Sequence, residues 1–226
     1  KILIDDYPLR RNKEILEKLV QDYNIDKLVL NPENLGYSVT WKNAWNMIPE
    51  DTDYVWHQED DFTFNEKINV QNMITLLNND KVQLFQVHLK RNIVFESNDF
   101  IRKVENNKVG KEMDVDGQKI IVSKSYFNPN PGIYPYWVTK ENYGKNLQEG
   151  VIIGHLVKKY TKGYSAMLGG RHSKNLITHI GEYTQGKKVL PGEPGWDWLK
   201  KYDPTKKYFS AKYLTQQAFS SKHRSE

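Results

Sequence analysis

The chain has no cysteine in its 226 residues, so disulfide staples and thiolate chemistry are both excluded. A reducing compartment suits such a chain, and the reading places it in the cytoplasm. No apolar run approaches the roughly eighteen residues that a membrane span needs, so no membrane-spanning segment is expected. Neither Gly-x-x-x-x-Gly-Lys-Ser/Thr nor Gly-x-Gly-x-x-Gly occurs, which argues against a Walker-type nucleotidase and a dinucleotide enzyme. Internal repeats and low-complexity tracts are absent too.

What is present describes an ordered fold. Hydrophobic residues reach 38% and aromatics 12%, enough to close a core in a chain of this length. The expected organisation is one domain over residues 1–198, divided near residue 90 into two halves, followed by a tail over 199–226. The formal charge of +5 belongs to that tail, which carries seven Lys or Arg against two acids and leaves the preceding residues formally neutral. Its Lys200, Lys201, Lys206, Lys207 and Lys212 interleave with Tyr202, Tyr208, Phe209 and Tyr213. Such a pattern suits a polyanion and, more readily, a solvated helix packing its aromatics on the domain. The composition, rich in Lys and Asn, fits a viral source.

Periodicity gives alternating elements. Ile2-Leu3-Ile4 reads as a short strand ending in Asp5-Asp6, and a further strand is expected ahead of Lys1. Ile15, Leu16, Leu19, Val20 and Tyr23 recur at helical spacing, and Lys27 to Leu30 form the next strand. After the turn Asn31-Pro32-Glu33-Asn34-Leu35-Gly36, a second helix from about Ser38 gathers Trp41, Ala44, Trp45 and Ile48 on one face. The strand Asp53 to Trp56 then delivers Glu59-Asp60-Asp61. Further on come a helix with Val70, Met73, Ile74 and Leu77, and a strand from Val82 to His88. A hairpin is expected at Asp116-Gly117, then a helix from about Gln148 to Lys159 and a strand from Ser165 to Leu168. Residues 128–137, with Asn128-Pro129-Asn130-Pro131-Gly132 ahead of Tyr134, Tyr136 and Trp137, read as a rigid aromatic loop. Strand and helix in alternation predict an α/β fold around a mostly parallel, Rossmann-like sheet, with ligands at the carboxyl ends of strands.

Carboxylates at strand ends are what a divalent cation needs, and a cation is a direct way to neutralise a diphosphate leaving group. Glu59, Asp60 and Asp61 supply three acids together, although a solvated turn has the same composition. Asp5 and Asp6 stand at another strand end, where a carboxylate can accept from a base or ribose or can cap a helix. Asn34 and Gly36 turn the chain into a helix whose N-terminus favours an anion and whose Lys42 and Asn43 lie one turn in.

In this order, an Asp-Asp strand end, Asn-Leu-Gly, a helix bearing a basic residue and Asn, and an acidic triplet after a strand, the first 65 residues resemble the nucleotide-binding half of GT-A glycosyltransferases, in particular the family-two-like group. The resemblance makes Glu59-Asp60-Asp61 a variant DXD motif. It implies Asp61 as a ligand of Mn²⁺ or Mg²⁺, with Glu59 or Asp60 near the donor ribose and Asp5, Asp6, Asn34, Gly36 and Lys42 around the nucleotide. It also implies His179 as a second metal ligand, Lys187 and Lys188 as diphosphate contacts in a Gly-bearing loop, and Glu149 as the base that deprotonates the acceptor. The family commonly has an acidic pair where this chain has Gln148-Glu149. The implied activity is transfer of a sugar from a nucleotide diphosphate sugar, a uridine diphosphate sugar by family frequency, to a hydroxyl on a glycan, a protein or a modified nucleic acid. A non-catalytic polyanion or nucleic-acid binder and a nucleotidyltransferase are the alternatives.

Overall fold

The structure, a computed structural model, describes residues 1–6, 10–33, 35–91, 110–124, 127–128, 130–144 and 147–179. It opens with β1 (Ile2–Asp5), α1 (Arg10–Asp22) and β2 (Lys27–Leu30), in which the two strands pair parallel across the helix connection. Next come α2 (Tyr37–Asn46), β3 (Tyr54–His57), β4 (Phe62–Phe64), α3 (Val70–Leu77) and β5 (Gln83–Leu89). The remainder runs β6 (Lys111–Val115), β7 (Gln118–Ser123), β8 (Gly132–Pro135), the one-turn α4 (Trp137–Lys140), α5 (Glu149–Lys159), β9 (Gly163–Leu168) and β10 (Ile177–His179). No helix among the described residues is long and apolar enough to cross a membrane.

The fold is α/β, built on a mixed six-stranded sheet in the order β3-β8-β5-β9-β7-β6. That corrects the expectation of a mostly parallel sheet, because within it only β5 and β9 pair parallel. The reason is connection length. Parallel neighbours need a long crossover, whereas β6 and β7 are joined by the two-residue turn Asp116-Gly117, both at positive φ (52° and 83°), which only an antiparallel ladder accepts.

A second correction concerns residues 128–137. Gly132–Pro135 is no loop but the strand β8, inserted between β3 and β5 with Ile133 and Tyr134 buried. Pro131 lies just before the strand and Pro135 is its last residue, so the missing N–H groups fall at its ends. Gly132 is required where it stands, since a Cβ there would lie 2.8 Å from the Val87 carbonyl oxygen and from His88 Cα.

Because β8 is antiparallel to both neighbours, β3, β5 and β9 all run the same way. The register aligns His57, Gly132, His88 and Met167 in one row across the sheet. Residues just after that row, 58–61 from β3 and 90–91 from β5, therefore emerge at a common edge.

Two hydrophobic clusters cover the sheet. One joins Met73, Leu76 and Leu77 of α3 to Leu84, Val87, Leu89 and Ile120. The other joins Trp41 and Trp45 of α2 to Phe85, Phe127, Tyr134 and Ile152, Ile153 and Leu156 of α5. The helix faces formed by Trp41 and Trp45, and by Met73 and Leu77, are thus buried as their spacing predicts. Burying each such side chain contributes about 1.5–3 kcal/mol before conformational entropy is subtracted. Trp45 Nε1 donates to the Tyr134 hydroxyl at 2.7 Å, whereas Trp41 Nε1 in the same cluster is buried without a hydrogen-bond partner.

Candidate functional site

The acidic triplet lies where β3 leaves the sheet. The chain turns through it into β4, which pairs antiparallel with β10 and sets His179 opposite Phe62. The two rings stack at 4.5 Å, 12° from parallel. Asp61, one residue before Phe62, comes beside the imidazole, with His179 Nε2 2.7 Å from its Oδ2. Arg91, at the end of β5, stands on the other side, its guanidinium nitrogen 2.8 Å from His179 Nδ1. A guanidinium can only donate, so Nδ1 accepts and the neutral ring carries its proton on Nε2, donating to Asp61. The expected neighbours Asp61 and His179, 118 positions apart in sequence, are therefore brought into contact.

The other acids crowd the same place. Burial, then the charges of Asp61, Glu149 and Asp60, push the Glu59 carboxyl up to about 7, with His179 opposing. Asp60 keeps part of its surface in solvent, yet burial and Asp61 raise it too. Asp5 is raised by burial, by Asp60 and by Asp6, so the end of β1 lies within the field of the triplet. Asp5, Asp60, Glu59, Asp61 and Glu149 thus form one acidic group drawn from β1, the β3–β4 turn and the start of α5. Among the described residues no Lys or Arg forms an ion pair with any of them.

Asp6 behaves differently from its neighbour. Its carboxylate accepts from the Leu35 and Gly36 backbone N–H groups at 2.9 and 2.8 Å and from Asn31 Nδ2 at 2.9 Å. Burial alone would raise this carboxyl, but the hydrogen bonds from Asn31, Leu35, Thr40 and Gly36 outweigh it and hold it below the ordinary carboxylate range. Asp6 thereby fixes the turn ahead of α2, and the anion expected at that helix N-terminus is supplied from within the chain. Gly36, the residue preceding α2, has φ +78°, a conformation that side-chain-bearing residues rarely adopt.

Glu149 opens α5 half-buried, close enough to add to the fields at Glu59 and Tyr37. Lys42 takes another direction, donating to the Gly144 carbonyl at 3.3 Å and bracing α2 against the segment ahead of α5. Asn34, Lys187, Lys188 and the tail over 199–226 lie outside the described residues.

Three residues at the site carried no signal in the sequence. Arg91 follows a buried strand with nothing local to mark it. Tyr37, the first residue of α2, has its hydroxyl pushed above the ordinary range by burial and then by the charges of Glu59 and Glu149. Lys90 is buried and donates from Nζ to the carbonyls of Gly170 (3.4 Å), Arg171 (2.6 Å) and Ser173 (3.1 Å). Its own carbonyl accepts from Leu176 and Ile177, so Lys90 sets the course of the chain into β10 and thereby the place of His179.

Whether the site fits a cation turns on its donors. Asp61 and His179 offer two, and Asp61 Oδ1 is buried without a hydrogen-bond partner, the kind of oxygen a hard cation satisfies. His179 becomes a ligand through Nε2 only once that nitrogen has given up its proton. Among the described residues no three His, Asp or Glu side chains are grouped so as to enclose an ion. Set against known proteins, the chain matches no protein-family model and no curated protein.

Proposed function

We propose that this chain is a metal-dependent glycosyltransferase of the GT-A type, moving a sugar from a nucleotide diphosphate, a uridine diphosphate by preference, to an acceptor hydroxyl. The observation that carries the reading is that carboxylates from three separate chain segments, unpaired with Lys or Arg among the described residues, come within one another's field beside the Asp61–His179 contact. The carboxyls of Asp5, Glu59 and Asp60 are raised first by burial and then by neighbouring acids, and among the described residues no Lys or Arg forms an ion pair with them. Structural ion clusters are normally paired, so an acidic group without a paired cation among the described residues favours a ligand of opposite charge.

In this reading Asp61, with His179, holds Mn²⁺ or Mg²⁺, and the ion supplies neutralisation of charge on the diphosphate. Glu59 and Asp60 accept hydrogen bonds from ribose or sugar hydroxyls. Asp5 borders the nucleotide, while Asp6 holds the turn that carries Gly36. Glu149, at the start of α5, takes the proton from the attacking hydroxyl. Arg91, which donates to Nδ1 of His179, would give up that bond when Nε2 takes the ion, because a neutral ring then carries its proton on Nδ1. Most of the rate enhancement then comes from positioning and electrostatics.

A thermal-shift panel of nucleoside diphosphates, with and without Mn²⁺, tests the reading on the wild-type chain and on Asp61→Ala. Ligand at a hundredfold excess over its Kd stabilises by about 2.7 kcal/mol, a shift of several degrees. That shift is expected to need the metal and to vanish in the variant. Equal shifts in both proteins would sink the proposal, and hydrolysis of the best donor separates an enzyme from a binding module.

A further inference from the structure

The end of the sheet away from the acidic group carries the opposite charge. The acids follow the row from His57 to Met167, whereas the pairs Tyr54 with Pro135, Gln83 with Gly163 and Ser123 with Ser165 lie towards the other edge. There α4 follows β8, α5 ends ahead of β9, and Lys124 follows β7. Between them these segments expose Lys124, Lys140, Lys158, Lys159 and Lys162. Among the described residues one carboxylate, that of Glu141, pairs with this set, through Lys159 at 2.7 Å. On the β3 side the patch is bounded by the exposed Asp51 and Asp53, the latter accepting the Tyr136 N–H at its carbonyl.

The lysines are ordered without being neutralised. Lys124 Nζ lies 5.0 Å from the centre of the Tyr164 ring and Lys140 Nζ 4.7 Å from that of Tyr136. A ring holds an ammonium in place but leaves its charge intact, so the positive field stays available to an anion. The segments also touch one another. Lys124 donates to the Thr161 carbonyl, and the Trp137 and Tyr160 rings are 5.1 Å apart.

Trp137 narrows the choice of anion. It is 37% exposed and braced from within, against Tyr160 and edge-on to the buried Phe85. A sulfated glycan would use the lysines but not the indole, and a membrane surface needs a broad apolar face that one indole among lysines does not make. A single strand of nucleic acid has phosphates for the lysines and an unpaired base for the indole, whereas a duplex keeps its base faces stacked within itself.

We infer that this edge is a docking surface for single-stranded nucleic acid, with Trp137 stacking on a base and Lys124, Lys140 and Lys162 meeting the phosphates. It uses no residue of the acidic group, so it stands or falls apart from the transferase reading.

Fluorescence anisotropy of a labelled oligothymidylate of about 15 nucleotides, the order of one binding site, tests it on the full chain over a salt series. Wild type is compared with Trp137→Leu, Trp137→Phe, Lys140→Ala/Lys162→Ala and, as a control for the basic residues 199–226, Lys206→Ala/Lys207→Ala. Trp137→Leu should weaken binding about 5- to 100-fold and leave the salt slope unchanged, because stacking releases no counterions. Trp137→Phe keeps a ring and should lose only a few-fold. Lys140→Ala/Lys162→Ala should flatten the slope of log K against log salt by about 1.4, each single-strand phosphate contact being worth about 0.7. Circular dichroism should match wild type for every variant. A loss confined to Lys206→Ala/Lys207→Ala, or no binding by wild type, would overturn the inference. So would a duplex of the same length that binds as tightly, or oligothymidylate and heparin both weakened by the lysine pair and neither by Trp137→Leu, which would mark an unselective polyanion surface.

Discussion

The first 31 residues and the six-stranded sheet of this chain are built to different standards. No described residue before Trp41 is buried, and Ile15 and Tyr23, on what the periodicity marks as the inner face of α1, are 59% and 63% exposed. Phe85, Val87, Leu89 and Ile120 of the sheet are wholly buried. Neither hydrophobic cluster takes a member from β1, α1 or β2. The acidic group straddles this divide, because Asp5 belongs to the thinly packed unit and residues 59–61 to the well-packed one. Local opening of the first unit should therefore dismantle the site while the sheet stays folded.

The sharpest way to break that contrast is to overload the sheet. A Cβ at Gly163 would lie 2.0 Å from the ring of the fully buried Phe85, so Gly163→Val should cost about 3 kcal/mol, read as a lower urea midpoint. A smaller effect is expected at Glu141, which takes hydrogen bonds from His155 (2.9 Å), Lys159 (2.7 Å) and the Tyr160 hydroxyl (2.8 Å). Its bond with Lys159 is the strongest influence; with those from His155 and Tyr160 it overcomes the opposing effect of burial and holds the carboxyl at about 2. Since the folded pKa lies below the ordinary 4.5, this contribution is complete above that pH and is lost as pH falls towards 2. Glu141→Gln should cost about 1–2 kcal/mol at pH 7, with wild type and variant converging in acid.

Glu59 offers the opposite sign. Its carboxyl is raised from 4.5 to about 7, so the folded chain is penalised as pH climbs through that window and the group ionises. Glu59→Gln should raise the Tm at pH 8 and change it little at pH 4, and a lower Tm at pH 8 would show that the acidic crowding is illusory. The smallest effect belongs to the thin unit, where Ile15→Ala should stay within about 0.5 kcal/mol by chemical denaturation. A loss there as large as that of Gly163→Val would erase the distinction between the two regions.

Much of the framework was legible in the sequence because it rests on local periodicity. The apolar spacing of α2 and α3 and the runs of β1, β2, β3 and β5 announce themselves in a few residues each. β8 was not legible, since Asn-Pro-Asn-Pro-Gly is turn chemistry and only the pairing with β3 and β5 makes a strand of Gly132–Pro135. The ribbon of β4 and β10, three residues each, is too short for any period to register. The same distinction holds at the site. Asp5, Glu59, Asp60 and Asp61 could be found as acids at strand ends, and His179 through the resemblance. Arg91, Tyr37 and Lys90 act through partners remote in sequence, which no window along the chain reveals.

The Lys90 anchorage bears on how this protein can vary. One ammonium grips three main-chain carbonyls of the bend between β9 and β10, so the path of that bend depends more on its backbone than on the side chains it displays. The exposed His172 and Lys174 are thereby free to change identity without moving His179. Diversity in that bend would alter what the surface presents to a second molecule while the imidazole kept its post.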